Sequence, residues 1–224
     1  MISLNDRPKK LQILNLDEHP LLANQRPFIE LMMKYNCALK EVATKFEVLD
    51  DEFSIRYNRN PVESIKTRIK SPQSIIEKLK RRNYDVTLDN VRAHIHDVAG
   101  ARIICSFPED IYMLAEMFMR QDDINVLEIK DYIKSPKESG YRSYHMIINI
   151  PIFLTESTER MEVEVQFRTI AMDFWASLEH KLKYKQDVEN PEIIASQLRD
   201  CSDKIAAIDL EMQSIRRQLD AEKQ

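Results

Sequence analysis

Phe28, Met32, Tyr35, Leu39, Val42, Phe46, Leu49 and Phe53 recur in alternating steps of four and three, the spacing of one apolar face of an α-helix. With Asn24 and Pro27 as start signals, the pattern predicts a long N-terminal helix over 21–55. The same rhythm returns at the other end, after Pro191, in Ile194, Leu198, Cys201, Ile205, Ile208, Met212, Ile215 and Leu219. Each seam can pack on its own domain or join copies of the chain. A seam this long near a chain end favours the second use, and 191–224 is expected to be an oligomerisation helix.

Between the seams the period shortens. Residues 101–107 form an apolar, β-branched run closed by Pro108, and a helix is expected over 109–120. Residues 124–129, 143–150 and 161–168 read as three further strands, and a helix at 170–184 follows directly. A short basic helix begins at Ser71, the N-cap, with Pro72 in its first turn, and another helix is expected at 88–93. The expected fold class is therefore α/β, a mixed sheet of four to five strands flanked by helices, with long N- and C-terminal helices. Residues 1–20, mixed in Pro, Asn and charge without a period, are expected to be a mobile arm, and 56–190 the core domain.

The chain has 224 residues, 43% hydrophobic and 31% charged, with a net charge of -4, which suits one domain with appendages. No apolar run reaches the ~18 residues of a membrane span, and the polar start lacks the core of a secretion signal, so a cytoplasmic protein is expected. Three cysteines without a CxxC pair argue against both a disulfide framework and a zinc knuckle, and His94 and His96 have no third ligand nearby. Glycine changes the picture most. Only Gly100 and Gly140 occur, which excludes every phosphate loop built from clustered glycines. If the chain binds nucleotides, side chains must hold the phosphates.

Suitable side chains are concentrated in three places. Residues 56–82 carry nine basic residues against two acidic ones, a local excess of seven that calls for an anionic partner or a very exposed face. There Ser74, Lys78 and Arg81 share one face of the short helix, and Ile75, Ile76 and Leu79 another. The strand at 161–168 separates Met161, Val163, Val165 and Phe167 from Glu162, Glu164, Gln166 and Arg168. In the following helix Asp173, Ser177, His180 and Tyr184 form a polar stripe, and Ile170, Phe174 and Leu178 are expected to be core. Glu164, with Asp97 as the second carboxylate, could hold a hard cation such as magnesium. Finally, Lys137, Arg142 and His145 surround Tyr141, a flat ring suited to a base with cations suited to phosphate, and Gly140 permits an unusual turn there.

Taken together, Arg68-Ile-Lys70-Ser-Pro-Gln-Ser74-Ile-Ile-Glu-Lys78, His96-Asp97-Val-Ala-Gly100-Ala-Arg102, Glu138-Ser-Gly140-Tyr141-Arg142-Ser-Tyr144-His145 and Glu164-Val-Gln166-Phe-Arg168-Thr resemble the synthetase domain of the RelA/SpoT family. The short chain and the stretch Ala171-Met-Asp173-Phe-Trp175 look like a stand-alone small alarmone synthetase of the RelP branch. The resemblance implies a nucleotidyltransferase-like sheet and magnesium-dependent transfer of the β,γ-pyrophosphate of ATP to the 3′-hydroxyl of GTP or GDP, yielding pppGpp or ppGpp and AMP. It places Arg68 and Arg102 on the faces of adenine, and Lys70, Ser74, Lys78 and Lys130 around the ATP phosphates. Asp97 and Glu164 would hold the metal, with Glu164 also accepting the hydroxyl proton, and Tyr141 would stack on guanine. Lys137, His145, Gln166, Arg168 and Asp173 would complete the acceptor side, with Asp173 reading the N1-H and N2-H₂ edge. A homotetramer joined through the C-terminal helix is implied, in the bacterial cytoplasm. No hydrolase activity is expected, since only His19 precedes residue 90. The competing class is an RNA-binding module that uses the basic 56–82 segment without turnover. Nucleotidyl transfer to RNA through Glu162 and Glu164 is a further enzymatic alternative.

Overall fold

The computed structural model describes residues 25–183 and 191–222, so the expected mobile arm at 1–20 lies outside the described residues. In chain order the elements are α1 (Gln25–Tyr57), β1 (Val62–Ile69), α2 (Pro72–Arg81), α3 (Leu88–His94), β2 (Ala99–Cys105), α4 (Pro108–Met119), β3 (Asn125–Asp131), β4 (Tyr144–Phe153), β5 (Thr158–Thr169), α5 (Ile170–Lys183) and α6 (Pro191–Ala221). The sheet runs β1-β2-β5-β4-β3 and is mixed: β2 and β5 are parallel, and the other neighbours are antiparallel. The α/β class and the mixed sheet are as expected.

Strand β1 was not expected from the sequence. It continues the basic segment, and its half-buried Ile65 and Ile69 make only a weak apolar pattern beside the exposed Lys66, Thr67 and Arg68. Pairing with β2 stabilises it, and the register sets Arg68 opposite Gly100 and Lys66 opposite Arg102.

One face of the sheet is apolar. Ala101, Ile103, Met146, Ile148, Val163, Val165 and Phe167 are buried there beneath α1 and α4. The N-terminal seam packs inward on its own sheet: Phe28, Met32, Tyr35, Leu39, Val42, Phe46 and Phe53 are all buried. Phe46 is the pivot, stacked on Phe118 of α4 at 4.5 Å and edge-on to Phe167 of β5 at 5.4 Å.

The C-terminal pair departs from the expected pattern. Ile170, Phe174 and Leu178 are not core: they are 52%, 58% and 41% exposed, while Met172, Trp175 and Ala176 turn inward. The reason is polar anchoring. Asp173 is drawn into a cluster of cations, and Trp175 Nε1 donates to the carbonyl of Leu198 on α6, which rotates the apolar stripe outward. In α6 the seam splits. Leu198 and Ile205 are partly buried, whereas Ile194, Cys201, Ile208, Met212, Ile215 and Leu219 are exposed. The inward face is polar: Ser202, Asp209 and Gln213 are buried, and Asp209 accepts from Thr169 Oγ1 at 2.6 Å. Tyr184 lies outside the described residues, and Ser177 and His180 are exposed.

Replacing Phe46 by Ala removes a fully buried ring that bridges helix and sheet. A loss of about 3 to 5 kcal/mol is expected in urea denaturation; a loss under about 1 kcal/mol would mean that α1 is not the principal cover of the sheet.

Candidate active site

The sheet register assembles the site on the opposite face. Residues directly across from one another point the same way, so pairing turns dispersed sequence segments into rows. One row reads Arg68, Gly100, Glu164, Ile147 and Glu128; the next reads Lys66, Arg102, Gln166, His145 and Lys130. Every member of the second row is polar or charged. A cleft between β1, β2 and β5 is lined by Lys66, Arg68, Gly100, Arg102 and Gln166. Gly100 forms part of its floor: a Cβ there would lie 3.6 Å from Cγ and Nε of Arg68, in contact with the side chain that crosses it.

Asp97 stands just before β2 and is clamped by two ammonium groups, Lys70 Nζ at 2.6 Å and Lys78 Nζ at 2.7 Å. The α2 helix delivers Lys78 because Ser71 caps it, accepting from the Ser74 amide at 3.2 Å, while Ile75 and Leu79 anchor its other face. Ser74 Oγ also accepts a hydrogen bond from Ser71 Oγ. Burial raises the Asp97 pKa, but Lys70 and Lys78 more than offset that and hold the carboxyl below its ordinary value.

Glu164 is the second carboxylate. Burial pushes its pKa up and the nearby Asp97 adds to that; His145 and a hydrogen bond from Gln166 Nε2 at 2.8 Å prevail and keep it below the usual range. His145 ties this carboxylate to the third segment: its Nδ1 is 3.4 Å from Glu164 Oε1, and its Nε2 is 2.8 Å from Tyr141 Oη. Arg168 Nη2 donates to the same Tyr141 Oη at 2.7 Å. Lys137 Nζ lies over Tyr141 at 4.9 Å and over Tyr132 at 4.6 Å. Lys130, at the edge strand, pairs with Glu128 at 2.8 Å.

Asp173 gathers three cations: Arg168 Nη1 at 2.9 Å, Arg102 Nη1 at 3.2 Å and Lys66 Nζ at 3.2 Å. Burial again opposes ionisation, and Lys66, Arg102 and Arg168 together hold the pKa down. The Nε groups of Arg102 and Arg168 are buried without a hydrogen-bond acceptor among the described residues.

Arg142 does not join the residues around Tyr141. It turns away, donating to the Ile133 carbonyl at 3.3 Å and to Asp203 of α6 at 3.0 Å. Glu162 is likewise separated from Glu164 in role: its Oε2 meets His96 Nδ1 at 2.6 Å, an arrangement that does not make the acid pair of an RNA nucleotidyltransferase. Tyr132 escaped the sequence reading, and Lys66 entered it only as one of the nine basic residues of 56–82. Tyr132 sits in a turn capped by Asp131, whose Oδ1 accepts from the amides of Ile133 and Lys134. The Asp131-Tyr132 pair after the strand carrying Lys130 was the available signal.

Asp97 and Asp173 both have pKa values lowered from 3.8, so the native state binds fewer protons than the unfolded chain. The stability they contribute is whole above the unfolded value and is lost as pH falls through the folded one. Measured without divalent metal, urea midpoints should hold to about pH 5 and then fall, and a double variant with Asp97→Asn and Asp173→Asn should start lower at neutrality with a flatter acid limb. Parallel acid limbs would overturn this account.

Residues 67–189 match the family described as the region found in RelA / SpoT proteins. The chain is 41% identical over 189 residues to the GTP pyrophosphokinase YwaC of Bacillus subtilis, covering 84% of this chain and 90% of that protein. It superposes on the crystal structure of small alarmone synthetase 2 from Bacillus subtilis with a TM-score of 0.76, 40% identity, and coverage of 85% of this chain and 98% of that one. Small alarmone synthetase 1 from the same organism, solved with its product pppGpp, gives 0.77 at 33% identity, covering 86% and 98%. With the sheet, the cleft and the sequence match in agreement, the chain belongs to the RelA/SpoT family.

Proposed function

We propose that this protein is a GTP pyrophosphokinase that transfers the β,γ-pyrophosphate of ATP to the 3′-hydroxyl of GTP or GDP, making pppGpp or ppGpp and AMP. The observation that carries this reading is the pair of adjacent rows: an arginine-lined cleft at one end, an aromatic and cationic loop at the other, and two ionised carboxylates between them. The product-bound relative supports the same substrates.

Two nucleoside polyphosphates must meet head to head, and a pair of like charges ~4 Å apart costs roughly 4 kcal/mol at an effective dielectric near 20. Cations must answer that repulsion. Arg68 and Arg102, which line the cleft, would hold adenine between their flat guanidinium faces. Lys70, Ser74 and Lys78, with Lys130, would receive the ATP phosphates. Tyr141 would stack on guanine, while Lys137, His145, Gln166 and Arg168 would hold the acceptor. The acceptor's 3′-hydroxyl oxygen attacks Pβ and its proton passes to Glu164. The bond from Pβ to the oxygen bridging to Pα breaks, and AMP leaves. A weakly basic carboxylate suffices, because phosphoryl transfer draws most of its rate from positioning and charge stabilisation.

Asp97 and Glu164 fit magnesium by the chemistry of their donors: two carboxylates with hard oxygens, both held ionised, with the Asp97 charge raising the cost of ionising Glu164. The remaining ligands of such an ion would come from phosphates and water. Such an ion would neutralise charge on the transferring phosphates. Asp173 would read guanine through Oδ2, the oxygen that Lys66 engages and that Arg102 and Arg168 leave open.

The chain would act as a homotetramer in the cytoplasm. The outward stripes Ile170, Phe174, Leu178 and Leu182 on α5 and Ile208, Met212, Ile215 and Leu219 on α6 need cover, and a second copy supplies a matching surface. Among the described residues no helix is long and apolar enough to cross a membrane. Among the described residues no observation favours RNA as the main partner.

Incubation with γ-labelled ATP, GTP and magnesium should move the label to GTP, and Glu164→Gln should lower turnover by at least about 100-fold with the fold intact, as judged by circular dichroism. Label remaining on ATP in the unaltered chain sinks the reading. Phe174→Glu combined with Met212→Glu should reduce the particle mass in light scattering; an unchanged mass would refute assembly through these stripes. Asp173→Ala should narrow the preference for GDP over IDP by about 10-fold, the scale of one lost charged hydrogen bond. A retained GDP-to-IDP ratio would show that guanine is read elsewhere.

A further inference from the structure

Gly140 is the point at which the acceptor loop touches the C-terminal helix. It is buried and adopts φ +88°, in the left-handed region. A Cβ at this position would stand 2.8 Å from Ser202 Cβ and 3.3 Å from Arg199 Cα of α6, so loop backbone and helix meet directly. Ser202 Oγ, in a residue only 3% exposed, donates to the Gly140 carbonyl at 2.5 Å. Two residues on, Arg142 reaches Asp203 in the next position of the same helix.

The loop cannot yield at Gly140 without moving its functional side chains. The Gly140 amide donates to the Lys137 carbonyl at 2.8 Å, and the Lys137 amide to the Tyr141 carbonyl at 3.2 Å, which closes the turn on itself. Lys137 and Tyr141 therefore travel with Gly140. Helix α6 is in turn fixed to the rigid core by Thr169 to Asp209, by the Glu109 amide to Gln213 at 2.8 Å, and by Trp175 to Leu198.

We propose that Ser202 and Asp203 are positioning residues for the acceptor loop, so that α6 is part of the guanosine half of the site as well as an assembly element. The proposal rests on the acceptor role given above to Lys137 and Tyr141. Neither Ser202 nor Asp203 lines the cleft; both act through backbone and Arg142. Ser202→Ala leaves the buried Gly140 carbonyl without its donor, and Asp203→Ala, at an exposed position, removes the acceptor that ties Arg142 to α6.

Titration calorimetry with GDP, in the presence of a saturating non-transferable ATP analogue, reads the effect without requiring turnover. Ser202→Ala should weaken GDP about 10-fold and Asp203→Ala about threefold, with affinity for the ATP analogue unchanged and the light-scattering mass equal to that of the unaltered chain. In the turnover assay the same selectivity should appear as a raised KM for GDP at constant KM for ATP. Unchanged GDP affinity, an equal loss for both nucleotides, or a loss that follows a change in mass would each overturn the proposal. Should Ser202→Ala fail to fold, Asp203→Ala decides by the same readings. A wild-type chain that binds GDP but transfers nothing would defeat the pyrophosphokinase reading alone, while one that binds no GDP would defeat both.

Discussion

The structure depends on burying one face of the sheet. Val163, Val165 and Phe167 commit one side of β5 to α1 and α4, and a period of two then obliges Glu162, Glu164, Gln166 and Arg168 to the other side. A one-residue slip would exchange carboxylate for valine in the cleft and bury charge beneath Phe46, so the apolar core sets the position of the polar rows. Because β5 is central, with β2 parallel on one side and β4 antiparallel on the other, the same constraint aligns residues from sequence positions as distant as Arg68, Glu164 and His145.

The polar face solves a different problem. A surface built to receive two polyphosphates carries cations that repel one another, and this chain answers with two carboxylates, each serving several. Asp97 takes Lys70 and Lys78; Asp173 takes Lys66, Arg102 and Arg168. These pairings keep the cations at their stations at moderate burial, where unpaired charge would be costly. Phosphate oxygens would compete for the same ammonium groups. Arrival of ATP at Lys70 and Lys78 would then release Asp97 to ligate a cation, which links substrate binding and metal binding through one side chain.

Legibility in the sequence followed the strength of the physical signal. The α1 seam, the strand at 161–168 and the capped helix after Ser71 rest on long apolar periods or on a specific cap, and each appears where expected. Strand β1 was hidden because its inward residues are few and its outward ones basic; only pairing with β2 reveals it. In α5 the apolar stripe Ile170, Phe174 and Leu178 read as core because periodicity reports which residues share a face, not which face is turned inward. Asp173 and its cations decide that orientation through contacts as long-range as Lys66, and spacing carries no trace of them. Arg142 was misplaced for the same reason, since Asp203 lies on an element distant in sequence.

Helix α6 inverts the usual amphipathic arrangement, with hydrogen-bonding residues inward and an apolar stripe outward. Burying Ser202, Asp209 and Gln213 is tolerable only because each meets a specific partner, respectively the Gly140 carbonyl, the Thr169 hydroxyl and the Glu109 amide. Directional contacts of this kind fix a helix in one register, because a shift would leave each buried polar group unpaired. The outward stripe is free of that demand, and it is the non-directional surface that would bind another copy. A helix divided in this way could bear assembly on one side while holding the Gly140 loop on the other. Burial pushes the Asp209 carboxyl pKa up although Thr169 donates to it, the direction in which burying a carboxylate costs stability. A helix selected only for cohesion of the subunit would have placed Ile208 and Met212 inward and avoided that cost.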